Sequence, residues 1–231
     1  LEPLGVSAYN LGVYGAVCKL AIFLSLFVTA FRLGAEPFFF GHAKNANAKE
    51  TYASILDYFV VALALIFVGL VANIEILKHF ISKENWVGLE AVPILLFGYV
   101  CLGIYGNLSI WYRLSDQTKF GLYISVVGAI ITIVLNIALV PKFGYMGSAW
   151  VSLLAYFTMM VISYVLGQRN YPIPYNLKKI VIYLVVSLVL VILSFWVFHR
   201  NIYIGNALLI AFMAGVFYFE KDQLKALLLK K

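Results

Sequence analysis

The sequence predicts an all-α fold, a polytopic membrane helix bundle of about seven transmembrane helices. Three observations predict it. Of 231 residues, 64% are apolar and 12% charged, and the mean hydropathy is +0.96. A soluble domain is about 45–50% apolar and about 25% charged, so a core facing water on all sides is excluded. The apolar residues fall into runs of roughly 20, the length that crosses a hydrocarbon layer as a helix. Runs such as 180–198 are apolar all round, whereas barrel strands alternate over segments of about 10 residues.

Taken in order, five spans (12–34, 55–77, 91–112, 120–140 and 145–166) are expected within 12–179, followed by two bland spans at 180–198 and 202–219. Residues 1–11 read as the end of an upstream segment. Residue 1 is not Met, and the first run, with Lys19 and Arg32 inside it, is a poor signal sequence. Pro37, Pro93, Pro141, Pro172 and Pro174 lie at or near run ends, where a proline costs no interior hydrogen bond. The stretch 170–176 is therefore a loop, and residues 43–56 can extend the second helix into water. Residues 220–231 interleave Leu224, Leu227 and Leu228 with Lys221 and Lys225, a basic turn suited to a membrane interface.

The loops at 41–54, 113–119, 167–179 and 220–231 hold eleven Lys/Arg, and the opposite loops hold four. The basic side is expected to be cytoplasmic, which places the C-terminus inside and the N-terminus outside. The formal charge of +7 then reflects topology and contact with anionic lipid, not a nucleic-acid partner.

The first helix carries the most information. Tyr14, Cys18, Ala21, Ser25, Thr29, Arg32 and Glu36 fall within a sector of about 80° at 100° per residue. This polar or small stripe suits a cavity or a protein partner. Arg32 and Glu36, four residues apart, can form a structural pair that Asp57 shares, or they can serve in gating or substrate contact, which makes Arg32 a cavity candidate. Lys19 lies about 100° from Cys18, near mid-membrane, where a charge costs about 2.5–3.5 kcal/mol. Its expected task is to attract an anionic group in a wet cavity. Ser25, Thr29, Asn107 and Asn136 are further cavity candidates, the two asparagines being equally suited to packing. Gly121, Ser125, Gly128, Ala129 and Thr132 read as helix-packing positions, as do Gly98, Gly103 and Gly106 and the pair Gly144 and Gly147.

Some chemistries find no residues. No phosphate-binding glycine loop is present, and His42, His79 and His199 are scattered, so neither ATP hydrolysis nor a metal set is expected. Cys18 and Cys101 read as small apolar residues. Asp116 is the lone loop acid an enzyme could use, and a solvated role suits it better. Neither cofactor nor enzyme activity is expected.

Three stretches carry a family resemblance. LGVYGAVCKLAIFLSLFVTAFRLGAEPFFF (11–40), with Gly12, Tyr14 and Lys19 and its Glu36-Pro37 end, resembles the eighth transmembrane helix of bacterial polysaccharide flippases. These belong to the multidrug/oligosaccharidyl-lipid/polysaccharide exporter superfamily. GIYGNLSIWYRLSDQTKFG (103–121) resembles the family's tenth helix and following loop, and LNIALVPKFGYMGSAWVSLLAY (135–156) resembles its eleventh-to-twelfth junction. With GQRNYPIPYN (167–176), the chain is most similar to Bacteroidetes-type lipopolysaccharide biosynthesis and O-antigen members. The resemblance implies the second lobe of a two-lobed transporter, here helices eight to fourteen, with an N-terminal lobe missing. It implies movement of a polyprenyl-pyrophosphate-linked oligosaccharide across the inner membrane by alternating access. It also places Lys19 in a central cavity and Arg32 nearer its cytoplasmic mouth. The alternatives are a cation-coupled drug or metabolite antiporter of the same superfamily, for which the near-terminal acids Glu36, Asp57 and Glu75 are poorly placed, and a membrane enzyme of polysaccharide assembly.

Overall fold

The computed structural model describes the backbone of residues 8–228 and the side chains of residues 8–221. Residues 1–7, 229–231 and the side chains of the basic tail, including Leu224, Lys225, Leu227 and Leu228, lie outside the described residues. The elements are α1 (Ala8–His42), α2 (Ala48–Ala72), the single turn α3 (Ile74–Leu77), 3-10 segments at Lys78–Phe80 and Lys83–Ala91, and α4 (Val92–Leu108). They continue with α5 (Ile110–Leu114), α6 (Lys119–Asn170), α7 (Leu177–Ile192), a π-helical turn at Leu193–Val197, and α8 (Ile202–Leu228). The described residues contain helix and no strand.

Helix α6 is where seven crossings are decided. At 1.5 Å per residue, 52 residues would span about 78 Å if straight, more than twice a hydrocarbon core of ~30 Å. Gly144, at φ 57° and ψ −136°, instead folds it back. Gly128 lies against Met159, the Ser148 hydroxyl donates to Asn136 Oδ1 at 3.4 Å, and Gly147 abuts the Leu139 carbonyl. These three pairs describe an antiparallel hairpin with limbs 119–143 and 145–170. The limbs overlie the runs at 120–140 and 145–166, but Gly144, read from the sequence as a helix-packing position, is instead the turn between them, because only glycine takes this backbone conformation freely.

Other boundaries move. The first span does not stop at 34; α1 continues through Pro37 to His42. Pro37 removes one helical hydrogen bond, and tertiary contacts beyond it hold the last turn. Phe39 is buried against Tyr52 of α2 with ring centroids 5.1 Å apart, and the Tyr52 hydroxyl donates to the Phe39 carbonyl at 2.8 Å. Helix α2 begins at Ala48, the water-side extension the sequence allows, and stops at Ala72 instead of 77. Asn73 turns the chain there, its amide donating to the Gly69 carbonyl at 2.9 Å. The span at 91–112 is broken at Ser109, whose hydroxyl donates back to the Gly106 carbonyl at 2.6 Å.

The core sits between α1, α2 and α4, with Leu20, Leu24, Leu63, Phe67, Leu95 and Leu96 almost completely enclosed. The buried face of α1 (Val13, Val17, Leu20, Leu24) lies beside its polar stripe and overlaps it at Ala21. The second limb of α6 packs on α4, while Ile130, Ile133, Val134 and Ile137 of the first limb are exposed. The loop at 171–176 is tucked inward. Ile173 is buried and accepts from the Gln168 side chain at 2.8 Å, and burial raises the Tyr175 hydroxyl above the usual tyrosine range.

The last two helices are less bland than their sequence. Outward residues such as Val181, Val185, Ile210 and Phe217 are exposed, as expected of peripheral spans. Yet α7 and α8 are tied to each other and to α2 by polar groups. At one end Lys179 Nζ donates to Glu220 Oε2 at 2.7 Å, and the Tyr183 hydroxyl donates to Glu220 Oε1 at 2.8 Å. At the other, Asn73 and Asn206 exchange amide hydrogen bonds at 3.2 and 3.1 Å.

Candidate functional site

The polar stripe of α1 divides by depth. In its first half, Tyr14 hydrogen-bonds Ser152 of the second α6 limb at 2.8 Å, and Ala21 is fully buried. This half is a packing seam. In its second half the stripe opens onto a cleft of about 210 Å³ between α1, α4 and α5. Ser25, Thr29, Arg32 and Glu36 of α1 line it, with Tyr99, Tyr105 and Asn107 of α4 and Arg113 of α5. Phe59 of α2 closes the back, stacked on Phe31 with centroids 4.1 Å apart.

The charges are not paired as the sequence suggests. Glu36 accepts from Arg113, 77 residues away, and not from Arg32. Arg113 is further held by the Ser109 hydroxyl at 2.5 Å. The helical break at Ser109 thus sets both the hydroxyl and α5 in place to present the guanidinium. Asp57 does not share Arg32 either. It lies on the far side of α2, within electrostatic range of Lys179 and Glu220. The physical reason is rotational. Position 57 on α2 faces α7, while Arg32 on α1 faces the cleft. Among the described residues Arg32 has no ion-pair partner.

Of the six cavity candidates, Ser25, Thr29, Arg32 and Asn107 meet at the cleft. Asn107 is 7% exposed, and its Nδ2 finds no hydrogen-bond partner. Asn136 does not reach the cleft. Its amide donates to the Thr132 carbonyl at 2.8 Å and meets Ser148, so it serves the α6 hairpin. Lys19 does not line the cleft either. It is exposed on α1 in one stripe with Phe23, Leu26 and Leu33. Asp116 is an exposed turn residue at φ 54°. Sequence reasoning missed Arg113, which it assigned to a loop.

Two glycines of α4 play opposite roles here. A β-carbon at Gly103 would meet Val28 Cγ2 at 2.9 Å and Leu63 Cδ1 at 3.2 Å, whereas one at Gly106 would meet nothing within 4 Å. Gly103→Ala is expected to cost about 1–3 kcal/mol by overpacking. Gly106→Ala should stabilise by up to about 1 kcal/mol through helix propensity. Thermal unfolding of both variants in one detergent checks this, and a loss at Gly106 as large as that at Gly103 would refute the assignment.

A helical bundle whose helices are long and apolar enough to cross a membrane, with a polar cleft among them, defines a polytopic membrane protein. The MatE family model matches residues 4–138, more than half of the chain, and the chain belongs to that family, whose members are transporters of the multidrug/oligosaccharidyl-lipid/polysaccharide exporter superfamily. No curated protein and no solved structure matches it.

Proposed function

We propose that the cleft lies on the path by which a polyprenyl-pyrophosphate-linked oligosaccharide crosses the bacterial inner membrane. The basic end of the bundle and the C-terminus would face the cytoplasm. An N-terminal lobe of the same protein would close against the open face of α1. The carrying observation is the charge of the cleft, where Arg32 is uncompensated while the one carboxylate, Glu36, is engaged by Arg113. Such a site attracts anions and has no free acid for binding a cationic drug. Lys19, on the open face, is then suited to the pyrophosphate of the lipid carrier.

A second feature supports a lipid-linked substrate. An apolar groove of about 760 Å³ runs between α7 and α8, walled by Ile182, Val186, Leu190, Phe212 and Val216, with Lys178 at one end. Its lining suits a hydrocarbon tail. The antiporter reading draws on Glu36 alone, a carboxylate in the cleft.

In the complete protein, Arg32→Ala is expected to lower surface polysaccharide about tenfold or more, the worth of a charge-assisted hydrogen bond. Lys19→Ala should also lower it. Unchanged polysaccharide in both variants, with loss of ion-gradient-dependent drug resistance instead, would establish the antiporter.

A further inference from the structure

We infer that the α1–α4 cleft selects a single acidic sugar residue, a hexopyranose bearing one carboxylate, and not the pyrophosphate of the carrier. The inference rests on the transporter reading above and specifies its substrate.

Size is the first ground. A volume of about 210 Å³ is below the roughly 300–1,000 Å³ that encloses a drug-sized ligand. A single pyranose ring is of that smaller scale. Charge is the second. Arg113 is neutralised by Glu36, which leaves Arg32 as one uncompensated cation. A guanidinium matches one carboxylate with two parallel hydrogen bonds. A diphosphate carries more charge than the one uncompensated cation of this cleft balances.

The third ground is Asn107. A buried amide without a partner costs roughly 1–3 kcal/mol, and a turn of the Asn107 side chain toward the cleft it lines would bring its Nδ2 to an acceptor there. A sugar hydroxyl or ring oxygen is such an acceptor. The rings of Phe59 and Tyr99 line the same space and offer the C–H face of a pyranose an apolar surface. Together these groups set one cation, one neutral amide and aromatic walls around one cleft.

The test uses the complete protein purified into lipid nanodiscs and saturation-transfer NMR with three probes: D-glucuronate, D-glucose and inorganic pyrophosphate. Glucuronate is expected to bind about tenfold more tightly than glucose. Arg32→Gln should erase that preference while leaving weak binding of both sugars. Asn107→Ala should weaken both sugars together. Gly106→Leu, which extends into open space, should abolish both without unfolding the chain, and its unfolding temperature verifies the fold. Equal binding of glucose and glucuronate would overturn the inference. So would displacement of glucuronate by pyrophosphate in an Arg32-dependent manner. Either result leaves the lipid-linked substrate standing, because that reading is judged by surface polysaccharide in the complete protein.

Discussion

Replacing Lys179 by alanine is expected to destabilise the chain by about 3–5 kcal/mol, the cost of breaking a buried ion pair from one side. Lys179 and Glu220 expose only 12% and 6% of their side chains. Asp57 lies close enough to feel both charges, and its Oδ1 is buried without a hydrogen bond. Removing the lysine therefore strands two carboxylates against α2, α7 and α8. Glu220→Ala should cost less, because Lys179 can then turn to Asp57. It also forfeits the Tyr183 hydrogen bond, so the loss remains measurable. Unfolding both variants in mixed micelles with added SDS checks the order. Equal losses, or a larger one for Glu220→Ala, would show that Asp57 takes no part. The double variant should lose less than the two single losses combined, as contacting groups do.

Gly144→Val is the second large effect. At φ 57° and ψ −136° the residue occupies backbone space open almost only to glycine, and a side chain there costs on the order of 1–3 kcal/mol. A β-carbon would also sit 3.0 Å from the Asn10 amide of α1. Valine, branched at that carbon, adds a second clash. The expected result is a hairpin that no longer closes, with Gly128 drawn away from Met159 and Ser148 from Asn136. A disulfide trap reads this directly. A cysteine pair at 136 and 148 should crosslink readily in the parent chain and poorly with Gly144→Val. Undiminished crosslinking would mean that the turn does not depend on glycine.

The spans were legible because a bilayer imposes a length and excludes unsatisfied backbone, and both demands are written in composition. A turn within α6 was legible for the same reason, since two runs of crossing length need one between them, but Gly144 read as a packing glycine and not as that turn. Boundaries were less so. Pro37 signals an end by local rules, but Phe39 packing on Tyr52 carries α1 past it. The cleft was half legible. The stripe from Ser25 to Glu36 follows from a period of 3.6 residues, and it does line the cleft. Arg113 was not legible, because no local pattern announces a partner 77 residues away. Asn136 was misleading for a related reason: an amide in a membrane helix must bond something, and the residue type does not say whether that is a neighbouring limb or a ligand.

The sequence by itself determined that this chain is a helical membrane protein of seven crossings, which side carries the basic loops, and which face of the first helix is polar. Those follow from periodicity and hydropathy, which are local. Only the tertiary structure decided that Glu36 belongs to Arg113, that Asp57 belongs with Lys179 and Glu220, and that Lys19 stands apart from the cleft. Charge pairing depends on how helices are rotated against one another. That rotation is set by the packing of Leu20, Leu24, Leu63, Phe67 and their neighbours, and not by the charges themselves.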